Sequence, residues 1–228
     1  MMKKNYTILF LIIILLNPTS ILAKDSKFKY KEEDISNYFQ GIVSLNQDYN
    51  NQAFKYLKKV KSIKNIHSQF NSEFIRTLIL NEKFKEAFVF SKTIWDENEL
   101  FFEADLILGL NAFVKKDYIS AEKHFERLNR ISHNNLYFDN FVGNILIAWV
   151  KASQKNNGES FNYIKKIPNR YYHMTKTQNV FLQCYFDINT TQNLFEELIT
   201  DKDYNFSRYN FFLINYLLSK NKNVEAKK

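Results

Sequence analysis

The sequence of 228 residues has few of the residues that interrupt or cross-link a chain: four glycines, two prolines and one cysteine. Glycine and proline are the residues least favourable in helices, so their scarcity, together with 45% apolar residues, favours a helical globular protein over a disordered one. Because Cys184 is the only cysteine, an intramolecular disulfide is excluded. Its neighbours in the stretch VFLQCYF are apolar, so we expect a buried, unreactive thiol.

Sequence patterns for catalysis and cofactor binding are also missing. None of the histidines lies three or four residues from another, and no H-E-x-x-H zinc pattern occurs. The chain contains no G-x-G-x-x-G or phosphate-loop pattern and no G-x-S-x-G nucleophile pattern. The four histidines are scattered, at His67, His124, His133 and His173. We therefore predict that the protein is not an enzyme and that it has no catalytic residues, no cofactor and no metal site.

The first 23 residues have the layout of an export signal. Lys3 and Lys4 give a basic start, Ile8–Leu16 form an apolar core, and Ala23 is a small residue suited to cleavage. This core is well short of the roughly 20 apolar residues that span a bilayer. We predict that residues 1–23 are a signal peptide and that the mature chain is exported to a periplasm. The alternative is an uncleaved membrane anchor.

The formal net charge of +8 at pH 7 raises the question of an anionic partner. The lysines are spread along the chain among abundant asparagine, isoleucine and aromatic residues, and dispersed charge of this kind is typical of a solvated surface. Export would also separate the protein from nucleic acid. We therefore expect no nucleic-acid partner, and membrane contact only through an uncleaved signal peptide.

The most informative pattern is an internal repeat. Small residues recur at intervals of 34, 34 and 39 residues, at Ala53, Ala87, Ala121 and Ser160. Each is preceded twelve positions earlier by a residue that is small in three of the four units, namely Gly41, Ile75, Gly109 and Ala148. A period of 34 residues with two small positions twelve apart is typical of a helix-turn-helix repeat.

These residues resemble the tetratricopeptide repeat (TPR) family, whose pattern is W-x2-L-G-x2-Y followed by A-x3-F and a terminal proline. The third unit matches it at Leu108, Gly109, Ala121 and Phe125, whereas Asp105 replaces the tryptophan. Glycine costs about 1 kcal/mol against alanine inside a helix. The resemblance implies that the small residues let two helices approach closely, which offsets this cost. The implied structural positions are Gly41, Ala53, Ala87, Gly109, Ala121, Phe125, Ala148 and Ser160.

We predict an all-α fold, a right-handed α-solenoid of stacked antiparallel helix hairpins. Residues 24–33 are charged and are expected to be flexible, and residues 34–228 are expected to form one TPR-like repeat domain. The matching is clear to Pro168 and weaker beyond it. A sixth hairpin would begin near the end, and its second helix has barely started at Lys228. We therefore expect the repeat domain to be truncated at its C-terminus.

The predicted loops between hairpins are residues 64–67, 96–99, 130–135 and 169–173. Beyond the last of them, a fifth hairpin is expected from Gln178–Phe186 and Gln192–Ile199. None of the four loops is long or low in complexity, so no linker divides the repeats into separate domains.

The resemblance implies a partner-binding concave face lined by the first helix of each hairpin. Only one of the implied residues, Arg76, is basic, so an acidic peptide terminus is not the expected ligand. The other side chains favour a groove for an apolar or amphipathic segment, but they are equally compatible with burial against neighbouring helices. The predicted partner-binding residues are Tyr38, Ile42, Arg76, Leu106, Leu110, Phe113, Ile145 and Trp149.

The predicted function is a non-enzymatic protein-protein interaction scaffold of the bacterial cell envelope, with a protein or peptide partner bound on the concave face. The alternative is the non-catalytic helical arm of a larger envelope enzyme whose catalytic part lies outside this chain. A catalytic motif downstream of Lys228 would favour this second interpretation, and further repeats would favour the first.

Overall fold

A computed structural model describes residues 30–134, 141–200 and 207–227. Within these ranges the chain forms helices and no strands, which confirms the predicted all-α fold class. No helix among these residues is both long enough and apolar enough to cross a membrane. The predicted signal peptide, residues 1–23, lies outside the described residues. The α-helices are α1 (Glu32–Asn46), α2 (Asn50–Leu57), α3 (Ser68–Leu80), α4 (Phe84–Ile94), α5 (Phe102–Val114), α6 (Tyr118–Asn134), α7 (Phe141–Ser153), α8 (Asn157–Lys165), α9 (Tyr172–Tyr185), α10 (Thr191–Thr200) and α11 (Ser207–Ser219).

Consecutive helices pair as hairpins, and each hairpin packs on the next. The pairs are α1 with α2, α3 with α4, α5 with α6, α7 with α8 and α9 with α10. The second helix of each hairpin then contacts the first helix of the following one, from α2 on α3 to α10 on α11. Helix α11 packs against a short 3₁₀ helix, Glu225–Lys227, that follows it. The result is a stack of hairpins with its core distributed along the stack.

Each first helix ends with the same backbone turn. In the turn after α5, the N–H of Lys116 donates to the carbonyl of Phe113 and the N–H of Asp117 donates to that of Ala112, both at 2.9 Å. This is the Schellman arrangement, in which one residue takes a left-handed conformation. In the described part of the chain, six non-glycine residues have φ between 57° and 64°, and each ends a first helix: Asp48, Glu82, Lys116, Lys155, Asp187 and Asn221. Their intervals of 34, 34, 39, 32 and 34 residues show that the repeat extends beyond Pro168.

Left-handed turns without glycine are a source of strain that substitution can remove. A left-handed backbone costs an L-residue about 1–2 kcal/mol, whereas glycine adopts it freely. We expect Lys116→Gly to raise the free energy of unfolding by about 0.5–1 kcal/mol in urea titrations. Glu126→Gly, at an exposed position inside α6, should instead lower it by about 1 kcal/mol. Changes of the same sign would contradict this account of the turns.

Two of the second helices, α6 and α8, begin with a polar side chain that caps free backbone N–H groups. Asp117 lies just before α6, and its carboxylate accepts a hydrogen bond at 3.2 Å from the N–H of Ser120 in the first turn of that helix. At α8, the side-chain oxygen of Asn156 accepts from the Glu159 N–H at 3.2 Å. Such caps satisfy backbone donors that have no partner within the helix. The hairpin turns before α6 and α8 therefore combine a Schellman turn with a side-chain cap, whereas α2 and α4 begin without one.

The small residues of the repeat lie where the paired helices meet. A Cβ atom added to Gly109 would lie 2.7 Å from Cδ1 of Phe125, and one added to Gly41 would lie 2.5 Å from Cδ2 of Leu57. Each glycine therefore makes room for the side chain four residues after the repeat alanine. In the fourth hairpin, Ser160 Oγ donates to the carbonyl of Ala148 at 2.9 Å. The four repeat alanines, at 53, 87, 121 and 148, have no exposed surface.

Several boundaries differ from the predicted ones. Helix α6 continues to Asn134, so the predicted loop at 130–135 is wrong for its described part. Ile131 packs against the core cluster that contains Leu128, and this apolar spacing of three residues prolongs the helix. At the predicted loop 169–173, a 3₁₀ helix ends at Tyr171 and α9 begins immediately. Helix α9 is thus longer than predicted, and α1 begins within the segment 24–33 that was expected to be flexible.

Candidate interaction surface

The eight predicted partner-binding residues all lie on first helices, from α1 to α7. Leu110 and Arg76 are exposed, and the other six are half-buried. None is fully enclosed, and each half-buried apolar member packs against one of the core clusters. The six half-buried side chains therefore contribute to the core and also have surface exposed to solvent.

Residues at the two ends of this set are held by neighbouring hairpins. The Tyr38 ring lies 4.8 Å from the His67 ring, measured between centroids. Burial, and secondarily the charge of Glu73, raises the pKa of Tyr38 above its usual value of 10.0. At the other end, Trp149 Nε1 donates to Oε1 of Gln178 at 2.8 Å, so this indole links α7 to α9. Both aromatic residues stabilise junctions between hairpins.

The middle of the set, on α5, is more accessible. Leu106 and Phe113 pack against the α5–α7 core, whereas Leu110 has 37% of its surface exposed. On α3, the side chain of Arg76 is 56% exposed, with one guanidinium nitrogen 3.7 Å from a carboxylate oxygen of Glu73. Such an exposed ion pair contributes little to stability, so Arg76 is free to turn towards a ligand. Leu110 and Arg76 are thus the two exposed residues among the eight.

A buried hydrogen-bond network around Asp105, not predicted from the sequence, lies inside the third hairpin. Asp105 occupies the position at which the TPR pattern has its tryptophan, and it has no exposed surface. Its Oδ1 contacts Trp95 Nε1 at 2.9 Å, His124 Nδ1 at 2.9 Å and Arg127 Nε at 2.8 Å. One carboxylate oxygen therefore joins the loop after α4 to both helices of the hairpin.

Arg127 extends this network to the backbone of the same loop. Its terminal nitrogens donate to the carbonyl oxygens of Asp96 at 2.8 Å and of Glu97 and Glu99 at 2.5 Å each. Its guanidinium carbon lies 5.0 Å from the centroid of the Trp95 ring. The arginine thus fixes a loop that has no helical hydrogen bonds of its own.

The electrostatics of this network favour a charged carboxylate. Burial raises the pKa of Asp105, but the hydrogen bonds from His124, Arg127 and Trp95 outweigh burial and bring the pKa below its usual value of 3.8. Oδ2 of Asp105 is enclosed and has no hydrogen-bond partner. The Asp105 carboxylate is therefore charged, compensated by its partners and closed to solvent, and it ties the loop after α4 to α5 and α6.

Comparison with known proteins supports the fold and leaves the function open. No family model matches the sequence, and no curated protein matches it either. The crystal structure of MamA, a TPR-like protein, superposes with a TM-score of 0.51. The alignment covers 84% of this chain and 95% of the MamA chain, at 12% sequence identity. This chain therefore has a TPR-like helical repeat fold.

Among the described residues, no group of three or more histidine, cysteine, aspartate or glutamate side chains is placed to hold a metal ion. The Cys184 thiol is half-buried rather than fully enclosed. Burial, followed by the nearby Asp187 charge, raises the pKa of this thiol above 9.0, so it stays protonated at neutral pH.

Proposed function

We propose that this protein is a non-enzymatic interaction scaffold of the bacterial cell envelope. In this proposal the chain is exported by its N-terminal signal, and a segment of a partner protein binds along the face formed by the first helices. The export step rests on the sequence of residues 1–23. The binding step rests on the TPR-like fold and on the side chains of α3 and α5.

One observation supports the binding face most directly: Leu110 is an apolar side chain left 37% exposed between half-buried apolar neighbours. In an isolated helix pair such an exposed leucine is unremarkable, since large apolar residues often remain partly exposed. Here it lies on the same helix surface as Leu106 and Phe113, at helical spacings of four and three residues. An amphipathic or extended partner segment with apolar side chains fits this strip.

The partner is best sought by photo-cross-linking in intact cells. A photoreactive phenylalanine analogue at position 110 should give a specific adduct, identifiable by mass spectrometry in the periplasmic fraction. The same analogue at Ile119, which is 83% exposed on the second helix α6, serves as the matched control. Leu110→Ser should remove co-purification of the cross-linked protein and leave the thermal midpoint nearly unchanged.

Three results would count against the proposal. These are equal adducts at positions 110 and 119, no adduct at position 110, or loss of folding in Leu110→Ser. Leu110 is preferable to Trp149 for this test, because Trp149 also holds α9 through Gln178 and its replacement would confuse binding with stability.

A further inference from the structure

A cavity of about 490 Å³ opens between the first two hairpins, away from the first helices. It is lined by residues of the 3₁₀ helix Lys58–Ile63, of the turn after it, and of α4. Three lysines surround it, Lys61, Lys64 and Lys85. Val89 and the buried Phe90 form an apolar floor. The cavity therefore combines cationic walls with an apolar base.

The three lysines have no anionic partner within the described part of the chain. The acidic residue of the lining, Glu86, is 3.6 Å from Lys83, a lysine outside the cavity. The Lys61 ammonium lies 5.1 Å from the centroid of the Phe74 ring, a cation–π contact that leaves its charge uncompensated. An anion entering the cavity would meet three lysines that are not ion-paired within the described residues, against the single carboxylate of Glu86.

The floor of the cavity adds a second requirement for the ligand. Val89 is 54% exposed although it adjoins the buried Phe90. A bare ion would leave this valine in water, whereas an alkyl group would cover it and gain the corresponding transfer free energy. Lysine ammonium groups are flexible point charges suited to phosphate oxygens. Both features are satisfied by one class of ligand.

We propose that this cavity binds a phosphate group carried on an alkyl or acyl chain. The phosphate lies among Lys61, Lys64 and Lys85, and the first carbons of the chain cover Val89. Two sources have this chemistry, the headgroup of an anionic lipid and a free alkyl phosphate. The site is separate from the proposed partner face, because none of its lining residues belongs to a first helix.

Isothermal titration calorimetry with the full chain tests the ligand class. Monomeric dodecyl phosphate should bind, whereas inorganic phosphate lacks the chain and dodecyl maltoside lacks the charge, so both should bind at least tenfold more weakly. Binding of either control as tightly as dodecyl phosphate would overturn the proposal. Soluble dihexanoyl phosphatidylglycerol distinguishes the sources: its binding at the same site indicates a lipid headgroup, and its failure to bind indicates a free alkyl phosphate.

Two variants locate the binding. The triple change Lys61→Gln, Lys64→Gln and Lys85→Gln should weaken dodecyl phosphate binding about a hundredfold, since each lysine near an anionic surface accounts for roughly a fivefold effect. A second triple change removes the same charge from exposed lysines in other hairpins, Lys115→Gln, Lys165→Gln and Lys166→Gln. It should change binding less than threefold. Equal losses in both triples would show unspecific charge attraction and would overturn the site.

The apolar floor has its own test. Val89→Asn places a neutral polar side chain at an exposed helix position, where it should leave the helical circular dichroism signal intact. Binding of dodecyl phosphate should fall about tenfold, because the amide keeps water on the floor, whereas the weak binding of inorganic phosphate should not change. Unchanged dodecyl phosphate binding in a folded Val89→Asn protein would contradict the proposed alkyl contact.

Discussion

Replacing Asp105 by asparagine is expected to lower the free energy of unfolding by about 3–5 kcal/mol, the usual range when one partner of a buried ion pair is lost. The substitution leaves the guanidinium of Arg127, which is only 4% exposed, without its carboxylate. It also places an amide NH₂ at the Oδ2 position, where the structure has no acceptor. Urea unfolding followed by circular dichroism measures the effect.

The matched control is Glu126→Gln, which removes one negative charge from an exposed position on α6. Its expected effect is within about 0.5 kcal/mol, as for most surface substitutions. If Asp105→Asn were as mild as this control, the network around Asp105 would not be what holds the loop after α4. Trp95 fluorescence gives an independent signal, because its indole donates to Asp105 and should become more solvent-exposed in the variant.

The network around Asp105 also determines how the free energy of unfolding changes with pH. Because the pKa of Asp105 is lower in the folded chain than its usual value of 3.8, the folded state binds fewer protons there than the unfolded state. Its contribution to stability is therefore complete above about pH 3.8 and is lost as the pH falls through the folded-state pKa. Asp105→Asn should remove this part of the acid dependence. The wild-type and variant stabilities should then converge below that range.

The helical repeat could be predicted from the sequence, whereas the hydrogen-bond network around Asp105 could not. Ala53, Ala87 and Ala121 mark the hairpins because close helix pairing tolerates only small side chains at a fixed position, and such a constraint leaves a period in the sequence. Asp105 meets Trp95 and Arg127 through tertiary contacts, which have no period. The available signal was local: an aspartate stood where the TPR pattern has a large buried aromatic, and a buried carboxylate requires donors.

The end of α6 shows a second limit. Residues 130–135 were predicted to be a loop because they lie between two hairpins of the repeat. The contact of Ile131 with the core cluster instead keeps the chain helical to Asn134. The partner-binding residues stay a prediction for a related reason: half-burial of Leu106 or Phe113 fits both a groove and interior packing.

Gly143 is a third feature that the repeat pattern missed, since its close contact lies between hairpins. A Cβ atom added to it would lie 2.9 Å from the backbone carbonyl oxygen of Phe125, and closer still to the side-chain oxygen of Asn129. A backbone atom inside α6 cannot move aside without shifting the helix. Gly143 therefore sets how closely α7 approaches α6.

Gly143→Ala should consequently destabilise the protein by about 1–3 kcal/mol through overpacking, although alanine is ordinarily the better helix residue by about 1 kcal/mol. Gly158, in α8, is the internal control, because a Cβ atom there meets nothing within 4 Å. Gly158→Ala should stabilise by about 0.5–1 kcal/mol. Urea titrations of the two variants compare the same chemical change at two helical positions, so opposite signs isolate the contact with α6. A gain in stability at both positions would mean that α7 is free to move away from α6, and the close approach at Gly143 would then contribute nothing to the stack.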